Sequence, residues 1–67
     1  QMISEEREAL EQRQIILMCR YKQYEAMQTD FSYDLDFYSY AGDQMQKLDD
    51  EADLIRWRLE SSENYDL

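Results

Sequence analysis

The sequence predicts an all-α fold: a helical hairpin or small helical bundle with coiled-coil-like packing, or one long bent helix, held in an oligomer. Three observations lead there. Apolar residues recur every three or four positions, from Leu17 through Tyr21, Tyr24, Met27, Phe31, Leu35, Tyr38, Ala41, Met45, Leu48, Ala52 and Ile55 to Leu59. Their mean spacing of about 3.5 is that of helices that wind around one another. Proline is absent and Gly42 is the one glycine, so the two strong helix breakers are nearly missing. Finally, 67 residues with a single cysteine and no histidine make one domain with a small core. Neither an internal disulfide nor a zinc site can staple it, which leaves association.

In chain order, residues 1–3 are expected to fray, and Gln1 reads as a remnant ahead of a natural start at Met2. Ser4 is a suitable N-cap. Glu5 and Glu6 then place carboxylates in the first turn, where the positive helix end favours them. The first helix is expected over about 4–28. Ile3, Leu10, Leu17 and Tyr24 repeat every seven residues, but Arg13 and Gln14 stand where a second apolar line belongs. Ile16 could share the seam with Leu17, with Ile15 and Met18 beside it.

Residues 29–42 are ambiguous. Thr, Ser, Asp, Phe and Tyr dominate TDFSYDLDFYSY, and each costs roughly 0.5 kcal/mol in a helix relative to alanine. Phe31, Tyr33, Leu35 and Phe37 even alternate with polar residues as a strand would. A lone strand has no neighbour to pair with, so helix is the better expectation, although Thr29 or Asp30 could cap a fresh helix and put a bend here, which makes 29–40 one of two places for a hairpin turn. At Gly42 a helix could end, with Asp43 and Gln46 forming a capping-box pattern for the next. The last helix is expected over about 43–62, followed by a disordered acidic tail at 63–67.

The formal net charge is −9, from sixteen acids and seven bases. It becomes more negative along the chain: −1 over residues 1–28 (five acids, four bases), −3 over 29–42 (three acids) and −5 over 43–67 (eight acids, three bases). Phosphate neutralisation needs the opposite sign, so direct nucleic-acid binding is disfavoured, as is an anionic membrane surface. The longest apolar run, Ile15–Cys19, is far below the roughly 20 residues that span a bilayer, and no signal-peptide pattern opens the chain. A lone thiol suits a reducing compartment, so a cytoplasmic location is expected, in the host cell if the protein is phage-encoded.

Catalytic constellations are missing from the sequence. There is no histidine to serve as a base and no glycine-rich loop, and acids on helix faces are ordinary. The chain therefore reads as a non-enzyme. Asp34 and Asp36 begin like a calcium loop, but Tyr38 and Ser39 stand at the next ligand and glycine positions, so the pattern fails. No metal or cofactor is expected. Cys19 reads as a packing residue.

The candidate binding residues are aromatics off the stripe and a run of acids. Tyr33, Phe37 and Tyr40 leave the seam if their segment is helical, and Trp57 leaves it between Arg56 and Arg58. Large amphipathic rings of this kind commonly anchor partners. Asp49, Asp50 and Asp53 form the acidic face, able to steer approach to a basic surface. The function this implies is that of a protein–protein interaction module, a small inhibitor or adaptor, whose partner offers a basic or apolar surface and which self-associates. The alternatives are a nucleic-acid mimic of phage or mobile-element type that occupies a DNA- or RNA-binding cleft, and a structural coiled coil or export co-chaperone. In size and acidity the chain is similar to small hairpin regulators such as the plasmid-copy-number four-helix proteins. Gln46-Lys47-Leu48-Asp49 resembles part of the Ser-Gln-Glu-Leu-Asp motif of small sporulation-phosphatase proteins, without its serine and glutamate. No role is carried over from so short a match.

Overall fold

The computed structural model describes residues 2–65, with side-chain surroundings for 2–62. Two helices, α1 (Ser4–Asp30) and α2 (Leu35–Tyr65), pack against each other as a hairpin, and no strand occurs among the described residues. At 1.5 Å per residue, the 31 residues of α2 span about 46 Å, close to the 51 Å long axis of the molecule. The one-rod alternative is thereby set aside.

The turn comes earlier than the glycine suggests. Residues 31–33 leave the helix, and Asp34 starts α2. The Phe31 N–H still donates to the Met27 carbonyl at 2.9 Å, and the Asp34 N–H closes back on the Phe31 carbonyl at 3.0 Å. Asp34 then acts as the N-cap: its Oδ1 accepts from the Phe37 N–H at 3.1 Å, while its carbonyl accepts from the Tyr38 N–H at 2.9 Å. That side-chain bond satisfies one of the donors a helix start leaves without a partner. Neither Thr29 nor Asp30 takes this part. The Thr29 hydroxyl donates back to the Glu25 carbonyl at 3.2 Å within α1, and Asp30 closes α1. At the start of α1, Ile3 holds the cap position without a side-chain hydrogen bond, and Ser4 is already helical.

Gly42 therefore ends nothing. It lies inside α2 and has no positive φ. Its missing side chain instead makes room for α1, since a Cβ there would stand 3.2 Å from Gln28 Nε2. That amide also donates to the Tyr38 carbonyl at 3.2 Å, tying the end of α1 to the start of α2. Of the two turn positions the sequence offers, the 29–40 stretch holds the turn, at 31–34, and the boundary expected at 42–43 is absent. At the other end, α2 runs on through 63–65, into what was expected to be a disordered tail. Residues 66–67 of that tail lie outside the described residues.

The core follows the stripe at both ends but not across the turn. Leu17, Ala41 and Ile55 are buried, joined by Ser62, and Leu10, Tyr21, Tyr24, Met45, Leu48, Ala52 and Leu59 are half-buried. Met27, Phe31, Leu35 and Tyr38, which the spacing placed in the seam, are exposed, Leu35 at 78 %. The turn resets which side of the chain faces inward, so the 3/4 steps drawn through it carry no burial. Ile16 also stays outside at 43 % exposed, leaving Leu17 alone as the seam residue of its turn.

Arg13, which interrupts the apolar line of α1, reaches across to α2. Its Nε donates to Glu51 Oε2 at 2.6 Å and its Nη2 to Oε1 at 3.0 Å, a two-pronged pair between groups 38 positions apart. Arg58 approaches Glu6 at 3.7 Å nearer the open end. Planar guanidinium–carboxylate pairs have one favoured geometry, so the first of these also sets how the helices register.

Candidate protein-binding surface

The sequence-derived candidates separate into three places. Tyr33, Phe37 and Tyr40 gather at the turn. Phe31 links the first two, with ring centroids 6.3 Å from Tyr33 and 5.1 Å from Phe37. Phe37 stands 6.3 Å from Tyr40, and Tyr40 meets Tyr24 of α1 edge-on at 6.3 Å and 71°. This chain of tilted rings closes the hairpin tip in the geometry aromatic pairs favour. Burial within it is graded. Phe37 is half-buried and does the packing, Tyr40 is 52 % exposed, and Tyr33 projects from the turn at 80 %.

Trp57 lies far from this group. Twenty residues of helix separate it from Phe37, about 30 Å at 1.5 Å per residue. It is 67 % exposed, and Leu54, one turn earlier on the same side of α2, is 69 % exposed. The pair is legible in the sequence as an i, i+3 step, but Leu54 was missed because it falls between stripe positions. The charges that flank Trp57 are both engaged: Arg56 pairs with Asp53, and Arg58 with Glu6.

The three acids lie in one arc of α2, with Asp53 about 40° from Asp49 and about 60° from Asp50. Asp49 and Asp53 are a turn apart and border an open groove between the helices, whereas Asp50, at the outer edge of the arc, accepts from Gln46 Nε2 at 3.0 Å. The groove has a volume of about 440 Å³. Its apolar lining is Leu17, Met18, Tyr21, Leu48 and Ala52, and Met18 is 60 % exposed. Lys22 and Arg56 stand among its polar residues beside the two aspartates. Gln14, the other interruption of the α1 apolar line, also lines it.

Among the described residues, electrostatics are perturbed at the Arg13–Glu51 pair. The hydrogen bonds from Arg13 hold the Glu51 carboxyl below its ordinary value of 4.5, against a smaller opposing effect of desolvation. The charges of Arg13 and Arg20 add to the lowering. Arg13 is raised in turn by the same bonds. Among the described residues, no group of three or more acidic or cysteine side chains is placed to hold a metal ion, and no helix is long and apolar enough to cross a membrane. Cys19 is exposed rather than packed. Comparison with protein-family models, curated proteins and solved structures finds no match to this chain.

Proposed function

We infer that this chain works by binding: a non-enzymatic acidic helical module, a small inhibitor or adaptor, that docks on a partner protein with a basic or apolar surface. The observation that carries this reading is the exposed Leu54–Trp57 pair on α2. A large amphipathic ring beside an aliphatic side chain, with neighbouring charges already engaged, is a typical anchor at a protein interface. Tyr33 at the tip is a second contact. The remaining acids steer approach to a basic surface without contributing much to affinity.

Mimicry of nucleic acid draws less support. Duplex DNA offers about one charge per 1.7 Å of axis in a regular array, whereas Asp49 and Asp53 share their border with Lys22 and Arg56, and Asp50 is bonded to Gln46. The small core makes self-association part of the same reading, and exposed Cys19 suits a reducing compartment such as the cytoplasm.

Affinity capture from the native host with wild-type and Trp57→Ala baits tests the proposal. Loss of a central aromatic anchor costs about 2 kcal/mol, so recovery of the specific partner should fall roughly thirtyfold while the helical circular dichroism is unchanged. Equal recovery by the two baits would remove Trp57 as anchor. A wild-type bait that retains no protein above background would remove the function.

A further inference from the structure

We propose that the groove face of the hairpin binds a second copy of this chain, two hairpins stacking broad side to broad side so that four helices enclose one core. This deepens the reading that the hairpin self-associates by naming the surface. The first support is the charge of that surface. The chain carries −9, so two copies repel at most orientations. Around the groove, however, Lys22 and Arg56 balance Asp49 and Asp53, and the local sum is zero. A basic partner would gain from an acidic rim and has no use for a balanced one. For an identical partner, the balanced rim is where approach is least opposed, and opposite signs on one patch are self-complementary about a twofold axis.

Area is the second support. The broad side of the hairpin measures 51 × 15 Å between Cα extremes. Stacked along their whole length, two such sides would remove at most about 1,500 Å² from water, against the roughly 1,200–2,000 Å² of stable interfaces. The groove also holds what a shared core needs. Leu17, Tyr21, Leu48 and Ala52 form an apolar floor, and Met18, 60 % exposed, is an unbranched side chain able to fill an irregular gap. The inter-helix ion pairs Arg13–Glu51 and Glu6–Arg58 are not among the groove residues, so closing it leaves them in place.

Sedimentation equilibrium of the full chain, with far-UV circular dichroism alongside, tests this. The wild type should sediment at twice its 8.2 kDa. Association should tighten in about 1 M NaCl, where the screening length falls to about 3 Å and whole-chain repulsion is lost. Met18→Glu, at an exposed position, should keep its helix content and weaken the dimer at least tenfold. Leu54→Glu, away from the groove, should leave it intact. A wild type of 8.2 kDa at every concentration would overturn both this inference and the self-association reading behind it. A dimer that tolerates Met18→Glu, that Leu54→Glu breaks, or that salt loosens would overturn the groove as the interface while leaving self-association standing.

Discussion

Replacing Leu17 with alanine probes the packing on which the hairpin depends. Leu17 is 2 % exposed and is the largest fully buried side chain among the described residues. The substitution removes three carbon atoms. At about 0.8 kcal/mol for each buried methylene equivalent, the lost transfer term is about 2.4 kcal/mol. Large-to-small core changes usually cost about 2–5 kcal/mol, because a cavity adds to that term. Here the core is only two helices thick and open along the groove, so neighbouring side chains can settle inward and hold the total near 3 kcal/mol, toward the lower part of that span. Domains hold about 0.05–0.15 kcal/mol per residue, which for 67 residues is roughly 3–10 kcal/mol. The variant should therefore lose a large share of its stability. Urea unfolding followed by circular dichroism is the assay. With a slope near 1 kcal/mol per molar urea, at the low end for small proteins, the midpoint should drop by about 3 M, or the chain should be unfolded without denaturant. Leu54→Ala, at 69 % exposed, should move the midpoint by less than about 0.5 M. Equal shifts for the two variants would refute the inward assignment of Leu17 and with it the way the helices face each other.

Gly42→Ala distinguishes a helix interior from a helix end. Inside a helix glycine costs about 0.5–1 kcal/mol relative to alanine, and the new Cβ would press only on the end of the flexible Gln28 side chain. Net stabilisation of about 0.5 kcal/mol is expected by thermal or urea unfolding, and a clear loss of stability would show that the Gln28 amide cannot move aside for the new Cβ. The Arg13–Glu51 pair should appear in the acid limb of stability. The folded-state pKa of Glu51 is lowered, so the stability it contributes is present above the ordinary glutamate value of 4.5 and is lost as pH falls through the lower folded-state value. Glu51→Gln should therefore destabilise at neutral pH and flatten the pH dependence below about 4.5. An acid limb unchanged by the substitution would show that the pair is not coupled to folding.

The helical class and the two ends of the seam were legible in the sequence because they rest on local rules. Spacing of three and four marks Leu17, Tyr21 and Tyr24 on α1 and Met45, Leu48, Ala52, Ile55 and Leu59 on α2, and all of these turn inward. The composition of 31–40 left the turn open between this stretch and Gly42. Where five of ten residues are aromatic, a 3/4 path can be drawn through Phe31, Leu35 and Tyr38 whether or not a helix continues. The competing signal was present. Poor helix formers cluster there, and Asp34 stands three residues before Phe37, where its carboxylate can satisfy an N–H of the new helix. The lone glycine offered position 42 as a competing boundary, although glycine in a long helix can also serve the close approach of a neighbour, as Gln28 shows.

The acid run divides by what its members touch: Asp49 and Asp50, about 100° apart, stand at the two edges of an arc with Asp53 between them. One borders the groove and the other bonds to Gln46. Arg13 and Gln14 illustrate the opposite relation between pattern and place. In the sequence they interrupt the apolar line of α1. In the fold they flank Leu17 on two sides, Arg13 gripping Glu51 from 38 positions away and Gln14 lining the groove. A perfectly apolar line at those positions would leave two greasy helices free to slide past each other. The two-pronged pair favours the alignment in which Tyr24 meets Tyr40 at the tip and Arg58 approaches Glu6 at the open end.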